Sequence, residues 1–126
     1  MRILFLDDNP ARVQAASNAV GIGNDFQSAD TAMDCICLLC EDWDVLYLDH
    51  DLEGAAFADP AGDNTGSEVV RWMVRHKPKV GSVIIHTLNI AAGRAMERAL
   101  KAAGYTAKYR SYLTLVQDWG LLQDSA

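Results

Sequence analysis

Three short apolar runs constrain this chain most: Ile3-Leu4-Phe5-Leu6, Val45-Leu46-Tyr47-Leu48 and Val83-Ile84-Ile85. None alternates with polar residues, so each reads as a strand covered on both faces. Each run stops abruptly in polar residues. The first ends in Asp7-Asp8-Asn9, the second in Asp49-His50-Asp51 and the third in His86-Thr87-Leu88-Asn89. Segments of helical period lie between them. Strands alternating with helices imply a parallel sheet with helices on both faces, and right-handed crossovers restrict how the strands can be ordered.

The remaining elements fill in that frame. Asn9 suits a helix N-cap and Pro10 the first helical turn, so a first helix runs to about residue 20 and Gly21 ends it. A weaker strand covers residues 25–29. Asp30 can cap a second helix over residues 31–41 that buries Met33, Ile36 and Leu39 or their neighbours. Thr65 and Glu68 have capping-box spacing and open a third helix carrying Val69, Val70, Met73 and Val74, which ends before Pro78. Asn89 can cap a fourth helix. Its inner face is Ala92, Met96, Ala99, Leu100 and Ala103, with Arg94, Arg98 and Lys101 outside and Gly104 at its close. Residues 105–110 give a short last strand. Leu113, Val116, Trp119 and Leu122 mark a final helix. Five βα units in 126 residues suit a single flavodoxin-like α/β/α domain over residues 1–126 with strand order 2-1-3-4-5. Residues 53–64 lack periodicity and contain Gly54, Pro60 and Gly62; a loop this long in a small domain is usually functional or disordered.

Composition removes several classes of function. The formal net charge is −6, and without a basic stripe an extended nucleic-acid surface is not expected. A small phosphorylated ligand stays compatible, because a metal can supply positive charge. No apolar run approaches the ~20 residues that span a bilayer, so no membrane role is expected. The cysteines, Cys35, Cys37 and Cys40, are odd in number, which argues against a disulfide framework and for a reducing, cytoplasmic setting. Their run, Cys35-Ile36-Cys37-Leu38-Leu39-Cys40, reads as buried structural thiols.

In this strand order the first, third and fourth strands are neighbours about 4.8 Å apart, so their carboxyl ends share one crevice. That rule gathers Asp7, Asp8, Asp49, His50, Asp51, His86, Thr87 and Asn89. Carboxylates this close repel unless one is protonated or a hard cation such as Mg²⁺ or Mn²⁺ takes their oxygens. Asp7, Asp8, Asp49 and Asp51 are the candidate ligands. His50 and His86 beside them suggest a general acid and base. His76 falls at the end of the third helix, where it favours the helix dipole.

At this point the chain resembles a known family. Asp7-Asp8, Asp49 at the end of the third strand and Thr87 after the fourth are similar to the receiver domain of bacterial response regulators, across the whole length. The resemblance implies Mg²⁺ on the paired acids, a phosphoacceptor at Asp49 and a phosphoryl contact from Thr87. A receiver also carries a lysine, commonly followed by proline, at the end of its fifth strand; here Lys108 is followed by Tyr109. Leu6-Asp7-Asp8 with Arg12, Leu48-Asp49-His50-Asp51-Leu52, Thr65-Gly66, and His86-Thr87-Leu88-Asn89 followed by Gly93 and Met96 resemble a divergent branch, the cyclic-phosphate processing receiver-like domain. That resemblance implies metal-dependent hydrolysis of a cyclic phosphate on a nucleotide or RNA terminus. His50 and His86 would be acid and base, Asp49 would be catalytic, and Thr87, Asn89 and Arg12 would bind phosphate. The alternatives are a response-regulator module phosphorylated on Asp49 by a histidine kinase, and a binding protein that keeps the pocket without catalysis.

Overall fold

The computed structural model describes residues 1–52 and 58–124. Five parallel strands, β1 (Arg2–Leu6), β2 (Asp25–Ala29), β3 (Trp43–Leu48), β4 (Val80–Ile85) and β5 (Ala107–Tyr109), lie in the order β2-β1-β3-β4-β5. The helices are α1 (Pro10–Ala16), α2 (Ala32–Leu38), α3 (Gly66–His76), α4 (Ile90–Ala102) and α5 (Tyr112–Asp124). No described helix is long and apolar enough to cross a membrane.

Alternation along the strands divides the core. Leu4, Leu6, Leu46, Leu48, Val83 and Ile85 face α2, α3 and α4 and pack on Cys35, Val69, Met73, Met96 and Leu100. Ile3, Phe5, Tyr47 and Ile84 face the other way, toward Ala16 of α1 and Leu115 and Trp119 of α5. Leu4, Leu6, Leu46 and Leu48 are wholly buried, each contributing about 2 kcal/mol by leaving water. Both faces are covered, which explains the unbroken apolar runs.

The caps at Asn9, Thr65 and Asn89 form as expected: each side chain accepts backbone N–H bonds of its own helix. Asp30 does not cap α2. Thr31 does, accepting from the Asp34 amide at 3.1 Å, while Ala32 N donates to Asn64 Oδ1. α1 is shorter than expected and runs into a π-helical segment, Ser17–Gly21. β4 begins earlier, at Val80, and β5 is confined to three residues.

Two expected inner faces, those of α2 and α5, are rotated. In α2, Cys35 and Leu39 are buried and Met33 is 73% exposed. Cys37 and Cys40 are likewise exposed rather than core thiols. In α5, Leu115 and Trp119 are buried while Leu113 and Val116 face solvent. In α3, Val74 lies outside. The cause is common to α2 and α5: apolar residues occur on more than one face, so the period fixes a helix but not its phase. The side chain of Leu122 lies outside the described residues, as do residues 53–57 of the long loop. The remainder of that loop folds back, with Asp51 bridging Thr65 and Arg71 donating to the carbonyls of Pro60 and Gly62.

One glycine is required by close approach. Gly66 opens α3 directly behind the end of β3, and its amide donates to the His50 carbonyl at 3.0 Å. A methyl group there would meet the Asp49 carbonyl oxygen and come within 2.7 Å of Met96 Cε. Backbone cannot yield as a flexible side chain can. Gly66→Ala is therefore expected to cost about 3 kcal/mol, read as a lower urea midpoint at unchanged m-value.

Candidate functional site

The site follows from register. Leu6, Leu48 and Ile85 are paired in line across β1, β3 and β4. The next residues, Asp7, Asp49 and His86, therefore form a row at the carboxyl edge. The ladder continues into that row: Asp49 N donates to Leu6 O at 3.1 Å and His86 N to Leu48 O at 2.8 Å. Arg110 N extends the row on β5 by donating to Ile85 O.

Asp7 is the hub. It is 1% exposed, yet both its oxygens are used. Oδ2 accepts from Arg12 Nε at 2.8 Å and bonds His86 Nε2 at 3.0 Å. Oδ1 accepts from Arg12 Nη2 at 3.0 Å and from the Asn9 amide at 2.9 Å. Burial pushes its pKa up, but the bonds from His86 and Arg12 outweigh that, and Asp7 stays below the usual carboxylate value.

Asp49 has the opposite balance. Burial first, then the charge of Asp7, raise its pKa to about 7, although Arg12 and the His50 amide pull it down. Arg12 Nη2 is 3.4 Å from Asp49 Oδ2. Asp7, Asp8 and Asp49 can each present one oxygen such that all three lie within 4.8 Å of one another. This set is entirely oxygen, the donor chemistry that suits Mg²⁺ or Mn²⁺. Asp51 does not join the trio. Its Oδ1 bonds His50 Nδ1 at 2.7 Å and accepts from the Ala58 amide at 2.9 Å.

Both histidines are buried. His86 is 2% exposed. It stacks on Phe5 with centroids 4.7 Å apart and lies 6.3 Å from the Tyr47 ring. Burial lowers its pKa against the opposing pull of Asp7, so the neutral ring donates from Nε2 to Asp7. His50 is also buried, and its ring is held by Asp51. No hydrogen bond or ring contact joins the two imidazoles among the described residues. Among the described residues, His50 Nε2 and His86 Nδ1 are both buried without a hydrogen-bond partner.

Thr87 and Asn89 follow the row. Thr87 is buried; its Oγ1 accepts from the Asn89 amide at 3.1 Å and its carbonyl accepts from Tyr109 Oη at 2.8 Å. Asn89 Oδ1 accepts from the Ala92 amide. Lys108 is exposed, and Arg110 pairs with Asp118 at 3.0 Å. Sequence reasoning missed Tyr112. Its ring lies 5.6 Å from the Arg12 guanidinium and 6.4 Å from the His86 ring. The available signal was its place just after the fifth strand, on the same rim.

The sequence profile of the cyclic-phosphate processing receiver domain matches residues 2–102. No curated protein matches the chain. Among solved structures, a response regulator receiver domain protein from Clostridium thermocellum is 20% identical, with a TM-score of 0.67 over 98% of this chain and 91% of that one. A CheY-like receiver domain protein from Methanospirillum hungatei is 17% identical, with a TM-score of 0.63 over 99% and 98%. A Burkholderia pseudomallei response regulator protein with a phosphorylated aspartic acid, calcium and citrate is 17% identical, with a TM-score of 0.61 over 88% and 59%. These structural likenesses are likenesses of fold.

A carboxyl whose folded-state pKa lies above its unfolded value binds its proton more tightly when folded. The contribution of Asp49 to stability is thus complete below about pH 4 and is lost as pH rises toward its folded-state value, about 7. Asp49→Asn should remove that loss. In chelator at pH 8 the variant is expected to melt on the order of 5 °C above the parent, with the gap closing at pH 4. Calorimetric melts at the two pH values check it.

Proposed function

This chain belongs to the cyclic-phosphate processing receiver domain family, and we propose that it opens a cyclic phosphate on a nucleotide or an RNA end in a divalent-metal-dependent reaction. The observation that carries the reading is the convergence of Asp7, Asp8 and Asp49, with His50 next to Asp49 in the chain and its Nε2 without a hydrogen-bond partner among the described residues. Those three carboxylates would hold Mg²⁺ or Mn²⁺, which when bound supplies positive charge against phosphate oxygens.

The chain's own groups do the rest. The Asp51 contact favours the His50 tautomer with its proton on Nδ1, leaving Nε2 as the basic nitrogen. In this reading Nε2 takes a proton from water, the water oxygen bonds to phosphorus, and one ribose oxygen leaves with a proton from solvent. His86 is a positioning residue: its bond to Asp7 and its stack on Phe5 support a role through the carboxylate rather than on the substrate. Arg12 offers a guanidinium to the phosphate once its carboxylates are engaged elsewhere, a bidentate pairing that arginine geometry favours. Thr87 and Asn89 orient the phosphate from the β4 side.

A phosphoacceptor module served by a histidine kinase is the rival reading, favoured by the phosphorylated aspartic acid in the Burkholderia pseudomallei neighbour. An assay separates them. With Mg²⁺, a 2′,3′-cyclic nucleotide should be converted to a monophosphate, resolved by phosphorus NMR. His50→Ala is expected to lower the rate at least ~100-fold, read at a temperature well below the variant's own melting transition, which loss of a buried ring lowers. No turnover, together with an alkali-labile adduct from acetyl phosphate that Asp49→Asn abolishes, would give the site to the rival.

Arg12 competes with any cation for the same oxygens. Arg12→Ala should tighten Mg²⁺ binding roughly tenfold in calorimetric titration at low salt, because the internal counter-charge is removed. Equal affinity in parent and variant would show that Arg12 does not occupy the cation's place.

A further inference from the structure

The exposed cysteines lie far from the acidic crevice in the fold, where α2 turns into β3. α2 closes in a tight turn. Leu39 N is shared between Cys35 O at 3.0 Å and Ile36 O at 3.1 Å; beyond it Cys40 N donates to Cys37 O at 3.3 Å and Glu41 N to Leu38 O at 3.1 Å. Leu39 sits at φ −70° and ψ −2°. Consecutive bonds of this kind are 3₁₀ geometry, in which side chains three residues apart eclipse one another. Such a turn brings its first and fourth Cα atoms within ~7 Å, overlapping the ~4.4–6.8 Å that a disulfide spans. Cys37 and Cys40 are those two residues. Both thiols are exposed, whereas Cys35, one turn back on the inner face, is buried.

We propose that Cys37 and Cys40 form a surface dithiol that is oxidised to an intrachain disulfide by low-molecular-weight disulfides. The electrons balance by exchange. A thiolate of one cysteine attacks a sulfur of oxidised glutathione and displaces one glutathione thiolate, leaving a mixed disulfide. The second cysteine's thiolate attacks the protein sulfur of that mixed disulfide and displaces the second glutathione. The net change turns two protein thiols and one oxidised glutathione into one protein disulfide and two reduced glutathiones. Cys35 takes no part: burial pushes its thiol up to about 12, and the thiolate is the reacting form.

The bridge closes a very small loop, so it constrains the unfolded chain little. It should form and reduce readily without reorganising the core. It would tie the end of α2 to Glu41 and Asp42, which hold the Arg2 guanidinium at 3.0 and 2.6 Å. The inference does not rest on the reading of the acidic site.

The folded 126-residue chain is equilibrated with oxidised glutathione, quenched with iodoacetamide and weighed intact. The parent is expected to lose two hydrogens and both alkylation sites at Cys37 and Cys40 together, reversed by dithiothreitol. Cys37→Ser and Cys40→Ser are each expected to stop at a stable single glutathione adduct, because no second thiol resolves it. The proposal is overturned if the parent accumulates the same stable adduct, forms disulfide-linked dimers, or keeps both cysteines open to alkylation.

Discussion

The buried carboxylate of Asp7 ties the functional end of this domain together. A fully desolvated carboxylate is costly unless charge and hydrogen bonds compensate it. Here the compensation comes from three directions. Arg12 reaches back from α1, His86 reaches from β4 past the intervening β3, and the Asn9 amide closes the turn between β1 and α1. One side chain thus fixes the start of α1, the orientation of a histidine and the separation of two strands. Asp49, in the same row, lacks this support, and its raised pKa is the result. The crevice is an unequal pair: one carboxylate held as an anion, the other poised to keep a proton until other positive charge arrives.

The division of the core explains why the two histidines part. Residues 84 and 86 share a face of β4, so His86 continues the layer of Phe5, Tyr47 and Ile84 on the α1–α5 side. His50 lies one residue beyond the row that holds Asp49, where its ring meets Asp51 and its carbonyl receives Gly66 at the start of α3. The same edge of the sheet therefore presents different chemistry to its two faces. Aromatic packing lies under Asp7, and an acid-paired imidazole lies toward α3.

Much of this was legible in sequence, and the exceptions have physical causes. Unbroken apolar runs ending in polar residues sufficed for β1, β3 and β4, and with the count of βα units for the meeting of Asp7, Asp8 and Asp49, because parallel register leaves little freedom at strand ends. Asn9, Thr65 and Asn89 were readable as caps because each side chain satisfies amides a fixed distance away. Helix phase was not readable in α2 or α5. Both are apolar on several faces, and tertiary packing chose Cys35 and Leu39 over Met33, and Leu115 over Leu113. The orientation of His86 was readable in principle from its parity with Ile84. Reading strand ends as a shared rim overlooked that consecutive residues there still point to opposite faces.

Arg12 gives the crevice two possible ways to be neutral. In the structure its guanidinium spans Asp7 and Asp49, standing where a divalent cation would compete. A cation taking oxygens of Asp7, Asp8 and Asp49 has to displace part of that pairing, and the released guanidinium remains tethered by α1 at the same rim. Under the proposed function, cation entry and the presentation of Arg12 to a phosphate would be one event rather than two. A bare acidic cluster would bind the metal more tightly but would leave the phosphate without a charged partner. On that proposal the arginine would weaken the first interaction to supply the second, the balance expected of a site whose ligand carries negative charge of its own.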